Sequence, residues 1–182
     1  MELLEDELTK RDPETPLFHL QTGQHFREFA KGASYAARIA KEAQDRGELL
    51  PGFLSMWLWS DIFIKNLTGA EHLVIDGSPR TVDEAQHLDV ALKFFKRVTP
   101  TVIFINVSPE WSKARLQERA MKEGRVDDAA ESIKLRLSWF EQEVRPTIAL
   151  YRRDRDYRFL EINGEQSVEA VHQEILRNVF GS

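Results

Sequence analysis

Six arginines stand near the ends of apolar segments or on the helices beside them, and this pattern favours binding of a polyanion. They are Arg27, Arg80, Arg115, Arg119, Arg125 and Arg136. A guanidinium group matches phosphate oxygens in pairs and stays charged at any working pH. The alternative for Arg115 and Arg119, which are four residues apart, is that they are solvated charges on one helix face.

The segment "VIDGSPRTVDEAQHLD" (74–89) runs from an apolar strand through a turn into a helix. Gly77 and Pro79 are enough to make that turn, so Asp76 and Arg80 need another explanation. We interpret them as ligand-binding residues at the strand end. The alternative is a turn whose arginine faces solvent. For "KEGRVDD" (122–128), the alternative is a polar loop in which Asp128 caps a helix.

Four short apolar runs predict strands, and helical patterns lie between them. The strands are expected at 17–20, 72–76, 101–107 and 157–163. The helices are expected at 27–47 with a break near Gly32, at 51–69, 81–98, 108–124 and 127–154, and after Ser167. Thr81 is a candidate N-cap with Glu84 three residues later. The alternation predicts a parallel sheet covered by helices, with ligands at the carboxyl ends of its strands.

The composition is that of one globular domain. The chain has 182 residues, 42% of them hydrophobic, and a net charge of −5, so we expect neither nucleic acid nor a membrane as a partner. The absence of cysteine excludes disulfides and thiolate metal sites, and the five histidines show no ligand spacing. With no secretory signal at its start, the chain is expected to be cytoplasmic. The aromatic side chains of Trp57, Trp59 and Phe63 are expected in the core.

Four segments occur in an order and spacing that resemble the adenylate kinase family of nucleoside monophosphate kinases. They are "TGQHFR" (22–27), "GELLP" (47–51), "DGSPR" (76–80) and "RLQERAMKEGRVDDAAESIKLRL" (115–137). Gln24 replaces the usual acid of the first segment, and Ser78 replaces the usual aromatic residue of the third. The closing "NGEQSVEAVHQEI" (163–175) is also similar, so the resemblance covers nearly the whole chain from about residue 17.

This resemblance implies a fold and an activity. The fold would be α/β, a three-layer αβα parallel sheet of the P-loop nucleoside monophosphate kinase type, in a single domain over 1–182. Residues 23–52 would form the monophosphate-binding subregion and residues 119–128 a short lid. The activity would be reversible, Mg²⁺-dependent transfer of the γ-phosphoryl group of ATP to AMP by a cytoplasmic monomer.

The resemblance also implies roles for individual residues. The acceptor nucleotide would contact Thr22, Gly23, Arg27, Gly77, Arg80 and Glu84. The catalytic set would be Arg80, Arg119, Arg125, Arg136 and Asp76, and Asp76 would also hold Mg²⁺ through water. The lid would contain Gly124, Asp127 and Asp128. Phosphoryl transfer requires mainly that the protein position the reactants and stabilise negative charge, and this set of residues would do both.

One departure from the family pattern is large. No glycine in the sequence belongs to a G-x-x-x-x-G-K phosphate loop, and "MELLEDEL" resembles the middle of the helix that would follow one. The family's first strand is central, so we expect a gap between the strands at 72–76 and 101–107. Each unpaired buried backbone group there costs about 1–3 kcal/mol. We therefore expect an N-terminally truncated, poorly stable chain that is weakly active alone. The alternative is natural loss of the loop, leaving a non-catalytic nucleotide-binding module.

The second departure is Glu84, which stands where relatives that choose AMP usually carry glutamine. A carboxylate only accepts hydrogen bonds, whereas an amide both donates and accepts, so Glu84 suits the two donors of guanine better than adenine. The alternative is that Glu84 only supports the start of its helix. AMP stays the expected acceptor, with GMP or another monophosphate as the alternative. A kinase for a small hydroxylated metabolite is a third hypothesis.

Overall fold

The computed structural model describes residues 1–123 and 130–181. Its helices are α1 (Glu2–Arg11), α2 (Thr22–Phe29), α3 (Tyr35–Asp45), α4 (Gly52–Asn66), α5 (Val82–Phe94), α6 (Pro109–Glu123), α7 (Ala130–Trp139), α8 (Arg145–Arg153) and α9 (Val168–Phe180). Its strands are β1 (Leu17–Gln21), β2 (His72–Asp76), β3 (Thr101–Asn106) and β4 (Arg158–Asn163). All four expected strands are present, each within one residue of its expected bounds, so the α/β class is confirmed.

The strands form two parallel pairs. β1 pairs with β2 in a register that aligns Leu20 with Ile75 and Gln21 with Asp76. β3 pairs with β4 from the pair Thr101–Arg158 to the pair Asn106–Asn163. Within the described residues β2 and β3 are not hydrogen-bonded to each other, so the sheet is in two halves. This is the discontinuity that the sequence predicts between these two strands.

A shared core joins the two halves. Trp59 and Phe63 of α4 and Leu88 of α5 lie at its centre, and Phe63 and Phe95 meet edge to face with ring centroids 6.1 Å apart. Ile75 of β2 and Val102 of β3 both pack against this cluster. Helices α4 and α5 therefore hold the halves of the sheet together through burial of apolar surface.

Local capping residues set the helix starts that matter for the site. Ser34 accepts a hydrogen bond from the backbone N of Ala37 at 3.1 Å, so α3 begins after the predicted break near Gly32. Thr81 accepts one from the backbone N of Glu84 at 3.2 Å, which confirms it as the N-cap of α5. The expectation that Trp57 lies in the core is wrong, because this residue is 48% exposed; its ring packs at a tilt against Phe29, with centroids 5.4 Å apart.

The stretch expected as one helix over 127–154 contains a widened turn. A π-helical segment, Phe140–Val144, separates α7 from α8. Pro146, in the first turn of α8, has no N–H to donate, and its ring crowds the carbonyl four residues earlier. At the other end of this region α6 continues to Glu123, so the expected lid over 119–128 begins as helix.

We expect removal of the Glu71 carboxylate to destabilise the protein. Glu71 is 6% exposed; it pairs with Arg97 and accepts hydrogen bonds from Thr68 N (3.1 Å), Thr68 Oγ1 (2.5 Å) and Gly69 N (3.2 Å). Glu71→Ala should lower the free energy of unfolding by about 3 kcal/mol, because it leaves Arg97 without its counter-charge. Glu28→Ala breaks the exposed pair with Lys31 and should cost less than about 1 kcal/mol. Equal urea midpoints for the two variants would contradict this prediction.

The effect of Glu71 should depend on pH. Burial raises the pKa of its carboxyl, but the hydrogen bonds from Thr68 and Gly69 outweigh burial and lower the pKa from 4.5 to about 2. A carboxyl whose pKa is lower in the folded protein stabilises it above its unfolded pKa. The contribution should therefore be complete above about pH 5 and fall as pH drops toward 2. Urea unfolding at pH 7 and pH 3 should show the difference between wild type and Glu71→Ala shrinking at pH 3.

Candidate functional site

A cavity of about 530 Å³ opens at the carboxyl ends of β1 and β2. Its walls come from α2, the turn between β2 and α5, the segment before α4, and helices α6 and α7. All nine of the sequence-predicted site residues that the structure describes line it: Thr22, Gly23, Arg27, Asp76, Gly77, Arg80, Glu84, Arg119 and Arg136. The size suits a small ligand such as a nucleotide.

Helix α2 begins directly at the end of β1 and delivers the first part of the wall. Thr22 is 1% exposed, and its Oγ1 has no hydrogen-bond partner among the described residues. A buried hydroxyl without a partner is costly, so this atom has an unmet capacity to form a hydrogen bond beside the cavity. Arg27 folds back along the same helix, with Nη1 3.5 Å from the position that a Cβ on Gly23 would take.

The turn after β2 brings the second strand end against the first. Gly77 has φ +82°, a conformation that glycine adopts without strain. A Cβ on Gly77 would lie 3.7 Å from both the Gly23 N and the Thr22 Cβ, so the two segments approach each other closely at this point. The segment "DGSPR" therefore contains the point at which the end of β2 contacts the end of β1.

Two hydrogen bonds fix Arg80 in this turn, and a buried hydroxyl group lies against its carbonyl oxygen. Its Nε donates to Gly77 O at 2.8 Å, and its backbone N donates to Glu84 Oε2 at 2.8 Å. Thr147 of α8 is buried, and its Oγ1 lies 3.3 Å from Arg80 O and 2.9 Å from Glu143 O. The widened turn before α8 thus places a hydroxyl on the backbone of the arginine. No sequence signal points to Thr147, which lies far from "DGSPR" along the chain.

Four arginines and four carboxylates of the described residues line the cavity, and two of these arginines could bind an anion. Neither Arg27 nor Arg80 forms an ion pair with any carboxylate in the part of the chain that the structure describes. Arg80 is exposed to the open cavity, yet surrounding protein atoms remove enough water that desolvation lowers its pKa. Glu84 and Asp76 oppose that change, and Arg136 reinforces it through like charge. A phosphate group placed between these guanidinium groups would relieve the repulsion.

Other lining residues were not anticipated. Ser55 of α4 is buried, and its Oγ lies 3.4 Å from Ser78 Oγ. Trp139, one turn after Arg136 on α7, also lines the cavity, as do Phe26 and Leu50. These apolar side chains are a minority in a mostly polar lining, and they offer a surface against which a planar base can pack. Leu50 belongs to the "GELLP" segment, whereas nothing in the sequence marks Ser55 or Trp139.

Some expected site residues are not part of this geometry. Arg115 is one of the six arginines expected near a polyanion. Its Nη1 instead donates to Glu118 Oε2 at 3.0 Å, and its guanidinium lies over the Trp111 ring, 5.0 Å from the centroid. The four lid residues Gly124, Arg125, Asp127 and Asp128 lie outside the described residues. No helix among those described is both long and apolar enough to cross a membrane.

The cavity contains one carboxylate at a strand end that suits Mg²⁺, Asp76 of β2. Within residues 1–123 and 130–181 there is no cluster of three or more acidic, histidine or cysteine side chains that could hold a metal by itself. Mg²⁺ keeps several waters and commonly binds through one or two carboxylates together with substrate phosphates. Asp76 fits that mode of binding.

Comparison with known proteins gives one consistent family. The sequence model of the family described as adenylate kinase matches residues 10–156. An adenylate kinase of Leptospira biflexa is 32% identical over 160 residues, which cover 88% of this chain and 84% of that protein. An adenylate kinase of Bacteroides fragilis is 29% identical over 161 residues, which cover 88% of this chain and 84% of that protein. Human adenylate kinase isoenzyme 1 is 29% identical over 159 residues, which cover 86% of this chain and 78% of that protein. The chain belongs to the adenylate kinase family.

Proposed function

We propose that the cavity is the site of Mg²⁺-dependent phosphoryl transfer from ATP to a nucleoside monophosphate, with AMP as an acceptor. Family membership supports the reaction class. The observation that carries the proposal is the pair of arginines, Arg27 and Arg80, which line one cavity without an ion pair to any described carboxylate, beside the Thr22 hydroxyl that has no partner among the described residues. In this proposal both guanidinium groups hold the acceptor phosphate, and Thr22 and Gly23 hold the remainder of the nucleotide.

Positive charge from two further helices would stabilise the phosphoryl group in transit. Arg119 of α6 and Arg136 of α7 line the same cavity. We assign them to the donor phosphates, together with Arg125 of the lid, and we assign Gly124, Asp127 and Asp128 to lid closure. A closed lid excludes water, so that ATP is not simply hydrolysed.

Asp76 would orient a hydrated Mg²⁺ through one of its waters, and the nucleotide phosphates would supply other ligands. The ion supplies neutralisation of the charge on the phosphate oxygens. The role of the protein is to hold Asp76 at the end of β2, where its register with Gln21 fixes it beside the start of α2.

The donor side of the site is less complete than the acceptor side. The 182-residue sequence contains no glycine-rich phosphate loop, and β2 and β3 are unpaired within the described residues. We therefore propose weak phosphoryl transfer by these residues alone, in a monomeric cytoplasmic protein. The second candidate, a non-catalytic module that binds only a monophosphate, is favoured by the same missing loop.

Two measurements on the purified chain distinguish the candidates. Calorimetric titrations with AMP and with ATP·Mg²⁺ should both show binding if the chain is an enzyme, whereas a module should bind only the monophosphate. Incubation with ATP, Mg²⁺ and AMP should form ADP slowly, and Arg136→Ala should abolish that formation. No binding of AMP at millimolar concentration would overturn the proposed function.

A further inference from the structure

Glu84 presents a carboxylate oxygen to the cavity with nothing in the described protein to bond it. The residue is 3% exposed, and its Oε2 accepts the hydrogen bond from the backbone N of Arg80. Among the described residues, none donates a hydrogen bond to Oε1 and none forms an ion pair with this carboxylate. A buried carboxylate with a free oxygen favours a partner that donates hydrogen bonds.

The surroundings leave that oxygen accessible to a ligand. Gly52, the first residue of α4, lies alongside, and a Cβ there would be 3.8 Å from Oε1, an ordinary van der Waals distance. The start of α4 therefore forms one side of the space around this oxygen. Phe26 and Leu50 supply apolar wall in the same cavity. A carboxylate oxygen in the same cavity as these apolar side chains is suited to a base that carries donors on its edge.

The two purines differ in what they offer to such an acceptor. The Watson–Crick edge of guanine has two adjacent donors, N1–H and the N2 amino group, which match the two oxygens of a carboxylate. Adenine has one donor, the N6 amino group, next to the lone pair of N1, which would face the second carboxylate oxygen. Carboxylates consequently pair with donor edges, whereas amide side chains pair with adenine.

We propose that Glu84 makes the acceptor site select guanine-type bases, so that GMP binds more tightly than AMP although both can occupy the cavity. This inference rests on the proposed function, since it assumes that the cavity holds a nucleoside monophosphate. A well-formed bidentate contact changes affinity by roughly 10-fold to 100-fold between matching and mismatching bases. IMP, which keeps N1–H and lacks the amino group, should bind with intermediate affinity.

Calorimetric titration of the unmodified chain with GMP, IMP and AMP tests this order without any need for phosphoryl transfer. We expect GMP to bind at least about 10-fold more tightly than AMP. AMP binding as tightly as GMP, or more tightly, would overturn the inference and leave the proposed function intact. Binding of none of the three would overturn the proposed function and the inference with it.

A matched pair of variants assigns the preference to Glu84. In Glu84→Gln the amide oxygen can still accept from the backbone N of Arg80, and the amide nitrogen takes the place of the free oxygen. This variant should reverse the order of AMP and GMP. Asp83→Asn removes the same charge from the neighbouring, exposed residue and should keep the order. A Glu84→Gln variant that melts like wild type and still prefers GMP would show that Glu84 does not set the preference.

Discussion

Arg80→Ala is expected to weaken binding of AMP and GMP about 100-fold. The structure holds Arg80 through hydrogen bonds to Gly77 O and Glu84 Oε2, and the Thr147 hydroxyl lies 3.3 Å from its carbonyl oxygen. A charge-assisted, bidentate contact to phosphate contributes about 1.5–3 kcal/mol, which corresponds to a factor of roughly 10 to 150 in affinity. Isothermal titration with each monophosphate measures the loss directly.

Comparing the binding of nucleosides with that of monophosphates separates a lost phosphate contact from a damaged fold. Adenosine and guanosine lack the phosphate, so their affinities should change less than about twofold in Arg80→Ala if only the phosphate contact is lost. Arg145→Ala is the matched control, because Arg145 is exposed and pairs with Glu141 away from the cavity. Equal losses for nucleosides and monophosphates would contradict the assignment of Arg80 to the phosphate.

Arg80→Lys should recover only part of the affinity. Lysine keeps the charge but cannot make two parallel hydrogen bonds, nor can it replace the bond from Nε to Gly77 O in the same geometry. We expect its affinity for AMP to lie between those of wild type and Arg80→Ala. A lysine variant as strong as wild type would mean that charge alone, and not the planar guanidinium, is what the site uses.

The local parts of this site could be predicted from the sequence because they depend on neighbouring residues. The end of β2 at Asp76, the turn at Gly77 and the Thr81 cap are each encoded within a few residues, and the structure has all of them. Their convergence with Thr22 follows from the parallel pairing of β1 and β2. Parallel pairing places the carboxyl ends of strands at one edge, so a pattern of strands is sufficient to predict it.

Other parts of the site could not be predicted because they depend on packing between distant segments. Thr147 lies 67 residues from Arg80 along the chain, and it follows the π-helical segment Phe140–Val144. Trp57 looks like a core residue by type, but the orientation of α4 buries Trp59 and Phe63 and leaves it half exposed. Hydrophobic type alone does not determine which face of an apolar helix meets the core.

The largest stability effect is expected from completing the sheet between β2 and β3. Both strands pack on the shared core, yet neither pairs with the other in the described residues. Met1 and Leu4 line an apolar cavity of about 470 Å³ together with Ile103 and Ile105 of β3. Helix α1 thus starts beside the carboxyl end of β3. A loop that leads from an additional parallel strand into α1 would end at this position.

We therefore expect a designed extension before Met1 to stabilise the protein and increase its activity. The extension is an apolar strand of about five residues followed by a G-x-x-x-x-G-K loop. A strand that pairs with both open edges would add several backbone hydrogen bonds, at about 1 kcal/mol each, so unfolding free energy should rise by at least about 3 kcal/mol. The loop supplies backbone N–H groups and a lysine for the ATP phosphates, so ADP formation should rise at least about 100-fold.

A single change within the extension separates its two effects. When the loop lysine is replaced by alanine, the strand can still pair, so the gain in urea midpoint should remain while most of the gain in ADP formation is lost. An extension that leaves the urea midpoint unchanged would show that the space between β2 and β3 does not accept a strand. A stability gain without ATP·Mg²⁺ binding, even with the lysine present, would instead support the module that binds only a monophosphate. In that case the arginines of the cavity would serve recognition of the acceptor nucleotide and not transfer.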